Sequence, residues 1–123
     1  MKYVILIYHN PESLKIWESF TSQQRAAGLR EYAALTESLA ESGELIVTEA
    51  LADQSTGRRV ASGAGAQMIT DAPLAEAKEQ LAGFYLIDCA DMERAIEIAS
   101  RIPEASLGLV EVRPVMSYDM PEL

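Results

Sequence analysis

From Tyr3 to Tyr8 the chain is an unbroken apolar and aromatic run, YVILIY, closed by His9-Asn10-Pro11. A run this short, bounded by a turn signature, predicts a strand, and its continuous hydrophobicity predicts burial on both faces. Between Pro11 and Thr21, Leu14, Ile16, Trp17 and Phe20 predict a short extra helix that covers the sheet. The period then changes. From about Ser22 to Ser42, Leu29, Tyr32, Leu35, Thr36 and Leu39 recur at spacings of three and four, and Gly43 is placed to stop that helix in a left-handed conformation. Glu44–Leu51 returns to strand alternation, with Leu45 and Val47 against Ile46 and Thr48. Asp53–Gly65 is rich in glycine and small polar residues and predicts a flexible hairpin with strands Arg58–Ala61 and Ala66–Thr70. Gly83–Asp88 is the next strand. Asp91 is placed as an N-cap for a helix whose stripe is Met92, Ala95, Ile96, Ala99 and Ile102, and Pro103 ends it. A last strand, Leu109–Val115, sets Leu109, Glu111 and Arg113 against Val110 and Val112.

The order strand, helix, strand, hairpin, strand, helix, strand predicts an α+β ferredoxin-like sandwich: an antiparallel sheet with helices on one face. Neither a repeat nor a linker divides residues 1–123, so the expectation is one domain. The helices cover one sheet face only. The other face, with Tyr, Ile and Val side chains, therefore calls for a partner, and a homodimer packed sheet to sheet is the expectation.

Charge narrows the partners. Nineteen acidic against ten basic residues give a formal charge of −9, which repels phosphate backbones and anionic membranes. The Arg58–Arg59 pair is too small a footprint to reverse this. The run after Met1 is shorter than a signal-peptide core and lacks a cleavage site, and nothing approaches the roughly 18 apolar residues of a membrane span. A single cysteine, Cys89, rules out an intrachain disulfide and agrees with a cytoplasmic location. With one histidine and one cysteine, no zinc, copper or His-based iron site forms within a subunit. No dinucleotide or phosphate-loop motif is present, so no cofactor is expected.

The segment Thr70–Asp88, TDAPLAEAKEQLAGFYLID, followed by a helix and then GLVEVRPVMSY, resembles the YCII-related, or DGPF-type, family. The opening MKYVILIY and the helix EYAALTESLAESGELI match the same layout. The family pattern reads roughly TDGPFAETKEQLGGFYLID. Here Asp71 and Pro73 match it, whereas Ala72, Leu74, Ala77 and Ala82 replace glycine, phenylalanine, threonine and glycine. The resemblance implies a ferredoxin-like dimeric α/β barrel with clefts near the barrel mouths. It also implies a catalytic His–Asp pair, but the only histidine, His9, does not fall on the family position, which lies near Tyr32.

Candidate site residues follow from chemistry and from this signature. Asp71 is either an Asx-turn cap or a general base. Glu76, Lys78 and Glu79 form a charge cluster in which Glu76 is placed to move a proton and Lys78 to bind an acidic group; the competing reading is a solvated loop or an intersubunit salt bridge. His9 ends a strand and is the one histidine, the side-chain type suited to proton transfer near neutral pH, so it is either a turn cap or an acid–base group. Tyr32 and Tyr85, with Tyr8, either line the same cleft or belong to the core. The catalytic set is thus Asp71, His9 and Glu76, with Tyr85, Lys78 and Tyr32 as ligand contacts. Two functions fit: a small-molecule-binding protein with cofactor-free acid–base chemistry, and a non-enzymatic regulatory or interaction protein, for example one linked to sigma-factor regulation.

Overall fold

The computed structural model describes residues 1–63, 66–71 and 78–117, with 66–71 described through their strand pairing. Among the described residues, six strands and three helices run β1 (Lys2–His9), α1 (Pro11–Ser19), α2 (Ser22–Ser42), β2 (Leu45–Ala50), β3 (Arg58–Gly63), β4 (Ala66–Asp71), β5 (Gln80–Asp88), α3 (Met92–Ser100) and β6 (Val110–Pro114). Two short 3-10 helices, Gln54–Thr56 and Pro103–Leu107, join β2 to β3 and α3 to β6. The main sheet has the order β2-β5-β1-β6, with every neighbouring pair antiparallel. With the β3–β4 hairpin set aside as an insertion, this is the ferredoxin-like α+β sandwich.

Local chemistry explains the boundaries. Asn10 caps α1 by accepting from Ser13 N at 2.7 Å, and Ser13 Oγ accepts from Asn10 N in return. Thr21 and Gln24 form the same reciprocal box at the start of α2. Gly43 ends α2 at φ 81°, in the left-handed region that glycine enters without strain. Asp91 caps α3 through Arg94 N at 2.9 Å.

The core lies between the sheet and α2 with α3. Tyr3, Ile5 and Ile7 of β1 and Tyr85 and Ile87 of β5 pack against Leu35, Leu39, Ala95, Ile98 and Ile102. Pairing puts Val4 opposite Leu86 and Leu6 opposite Phe84, on the face away from the helices, with Val47 beside Leu86. These four β1 and β5 side chains are only half-buried in the single chain. Burial of β1 on both faces therefore does not hold here: its run is apolar throughout, but only alternate residues reach the core. Helix α1 forms as expected yet contributes no side chain to the core, and Ile16 and Trp17 stay exposed. Trp17 instead carries the Arg25 guanidinium over its ring at 5.5 Å. Two stripe positions are also displaced: Leu29 and Ile96 face solvent, and Ile98 takes the buried place in α3.

Arg94 at the start of α3 grips Glu44 with two parallel bonds, Nε to Oε2 and Nη2 to Oε1, both 2.9 Å. The Arg94 bonds, with the Ser42 hydroxyl, hold the Glu44 carboxyl at about 2, below its ordinary value of 4.5. A depressed carboxyl contributes stability that is present above the unfolded value and lost as pH falls toward the folded one. Wild-type protein should therefore lose stability between about pH 4.5 and pH 2, and Arg94→Gln should flatten that limb in acid-unfolding curves. Because Arg94 is partly exposed and its charge is screened by solvent, the cost at neutral pH should be small.

Candidate functional site

Strand alternation sets His9 on the same face as Ile7, Ile5 and Tyr3, at the end where the core opens to solvent. Opposite it stands Glu104, in the first turn of the 3-10 helix that Pro103 opens. Pro103 thus does more than stop α3: it pre-sets φ for a second helical turn, whose N-terminus suits a carboxylate. His9 Nε2 lies 3.5 Å from Glu104 Oε2, and the Tyr32 hydroxyl of α2 donates to Glu104 Oε1. Three elements distant in sequence so converge on one carboxylate. Glu104 is 18% exposed and His9 39%, which leaves the imidazole as the member of the set that meets solvent.

The electrostatics follow from this arrangement. Burial pushes the Glu104 carboxyl up, but the bonds from His9 and Tyr32 outweigh it and hold the group below its ordinary value, as an anion. Burial, then the bond to that anion, drives the Tyr32 phenol far above its ordinary value, so it stays protonated as a donor. A carboxylate facing Nε2 keeps the proton of the neutral ring on that atom. Nδ1 is then left with the lone pair that accepts a proton.

A shallow recess of about 40 Å³ adjoins His9 and is bordered by Leu14, Gln54, Gln80 and Leu81. It runs into an open groove of about 350 Å³ floored mainly by Leu51, Ala52 and Leu81 and edged by Thr56 and Gly57. Gln54 borders both, and its Oε1 is buried with no hydrogen-bond partner among the described residues. Such an orphan costs on the order of 1–3 kcal/mol.

The sequence model of the YCII-related domain matches residues 1–119, nearly the whole chain. The chain belongs to the YCII-related family. A relative, an uncharacterized protein of Rhizobium meliloti (strain 1021), is 33% identical over 125 residues, spanning 100% of this chain and 98% of its own. Among solved structures, a 5-chloro-2-hydroxyhydroquinone dehydrochlorinase from Burkholderia phenoliruptrix AC1100, in complex with 2,5-dihydroxybenzoquinone, is similar with a TM-score of 0.45 and 16% identity, over 97% of each chain.

Within this YCII-related chain the expected site residues separate. His9 and Tyr32 come together through Glu104, a residue the sequence reading passed over. Its signal was the Pro103-Glu104 pair, which marks a helix start as readily as a helix stop. Tyr85 is 2% exposed and its hydroxyl lies 2.8 Å from Thr36 Oγ1, so it underlies Tyr32 from the core rather than walling the groove. Thr36 in turn donates to the Tyr32 carbonyl at 2.9 Å. Lys78 is exposed just before β5, whose first residue, Gln80, pairs with His9. Asp71 is the last residue of β4 and pairs with Arg58, at the base of the hairpin and next to Gly57 on the groove edge. Its side chain and the whole of Glu76 lie outside the described residues.

Proposed function

We propose that the chain binds a small molecule in the groove beside His9 and carries out cofactor-free acid–base chemistry on it. The observation that carries this reading is the Tyr32–Glu104–His9 set: an ionised, shielded carboxylate that orients the one imidazole in the chain at the mouth of a recess. In this reading Nδ1 of His9 takes a proton from the ligand, Glu104 stabilises the imidazolium that forms, and Tyr32 fixes the carboxylate. Asp71 and Glu76 of the family signature stay in this proposal as further acid–base residues, and Lys78 as a ligand contact. Tyr85 is assigned an indirect part, holding Thr36 and thereby the helix turn that carries Tyr32.

The test uses the uniqueness of His9. Diethyl pyrocarbonate acylates neutral imidazole, and peptide mass spectrometry reports the modification of His9 alone. Small molecules found to bind the chain should slow that acylation in proportion to occupancy. Binders that leave its rate unchanged would contradict the reading and favour the regulatory alternative.

The same proposal includes a homodimer. Val4, Leu6, Phe84 and Leu86 present an apolar strip on the sheet face that no helix among the described residues covers. It is flanked by Glu49, Glu111 and Arg113, an apolar centre with a polar rim of the kind that interfaces show. Light scattering at micromolar concentration should give twice the chain mass, and Leu6→Glu should halve it. A wild-type monomer would exclude sheet-to-sheet pairing.

A further inference from the structure

The recess beside His9 admits a water-sized group and not a ring, whereas the adjoining groove offers an apolar floor of Leu51, Ala52 and Leu81. A ligand that fills both has a compact apolar body and one small polar end. Gln54 indicates what that end is. The residue lines the recess and the groove together, and its side-chain oxygen is buried from solvent without a donor among the described residues. The last torsion of a glutamine side chain is broad and roughly two-fold, so the amide can turn its oxygen or its nitrogen toward the recess. A hydroxyl both donates and accepts, and it satisfies the amide in either orientation. A carboxylate only accepts, and it would sit close to ionised Glu104 in a chain of charge −9.

Resting on the groove reading above, we infer that the site selects an uncharged molecule with an apolar body and a terminal hydroxyl, and that Gln54 is the residue that sets this preference. The hydroxyl sits in the recess between the Gln54 amide and the His9 ring, and the apolar body covers Leu51 and Leu81. A ligand that lacks the hydroxyl leaves the amide unpaired and loses affinity for that reason.

Phenol, toluene and benzoate test this as probes of nearly equal shape. Each is titrated into the full chain while the ring carbon–proton signals of His9 are followed by NMR. Phenol should bind at least tenfold more tightly than toluene or benzoate. Gln54→Leu, which keeps the bulk and removes the orphan amide, should reduce the phenol-to-toluene ratio about tenfold with no loss of thermal stability. An unchanged ratio in Gln54→Leu would overturn the role of Gln54. Equal or tighter binding of toluene or benzoate would overturn the hydroxyl preference while leaving the groove reading in place. Silence of the His9 signals to all three probes would overturn the inference together with that reading.

Discussion

Leu39→Ala should lower the unfolding free energy by about 2–5 kcal/mol. Leu39 is 0% exposed and sits in the last turns of α2, among the residues that join that helix to the sheet. Its removal deletes buried methyl groups and leaves a cavity that the β-strands beneath, fixed by their hydrogen-bond ladders, cannot close. A domain of this size holds about 5–15 kcal/mol in total, so the change takes a large share. Urea denaturation should show a lower midpoint with an unchanged slope. Leu29→Ala, on the exposed side of the same helix at 62% exposure, should fall within about 0.5 kcal/mol of wild type. Equal losses from the two variants would contradict the assignment of the buried face.

Gly83→Val should be damaging for the opposite reason. Gly83 lies in β5 between Ile7 of β1 and Ala50 of β2, in the interior of the sheet. A Cβ there would stand 2.9 Å from the Glu49 carbonyl oxygen and 3.4 Å from Ala50 Cα. Both are backbone atoms that can give way only if β2 moves off β5. Overpacking of this kind costs about 1–3 kcal/mol and occasionally more. The loss should concentrate in the β2–β5 pairing, so hydrogen exchange at Leu51 N, which donates to Ala82 O, should accelerate more than at Val115 N, on the opposite edge. Uniform acceleration of the two amides would contradict that local origin.

The two predictions also show which parts of the structure were legible in the sequence. Gly83 belongs to the family signature, and the ladder explains it physically: only glycine permits the close approach of β2. The ferredoxin-like order, the caps at Asp91 and Gly43, and the hairpin at 58–71 could be read because each depends on local turn chemistry or on short-range period. What failed was read from hydrophobicity alone. The β1 run is apolar at every position, yet Val4 and Leu6 are only half-buried among the described residues. Ile96 and Leu29 fit a helical stripe but lie at its edges, where a small rotation of the helix carries them into solvent.

The site was half legible for a related reason. His9 and Tyr32 were chosen for their chemistry, but what joins them is Glu104, brought in from the far end of the chain by a short helix that follows Pro103. Sequence spacing carries no information about such a contact. Asp71 was chosen from the family signature, and the β3–β4 register pairs it with Arg58, the chain neighbour of Gly57 on the groove edge.

The central claim is that the Tyr32–Glu104–His9 set serves a ligand. Titration of a diverse panel of small fragments, followed on the ring signals of the single histidine in wild type and in Glu104→Gln, tests it most directly. The account predicts saturable movement of the His9 signals by the fragments that bind, and weaker binding of the same fragments to Glu104→Gln. Fragments that bind the chain while the His9 signals stay still, with affinities unchanged in Glu104→Gln, would contradict it.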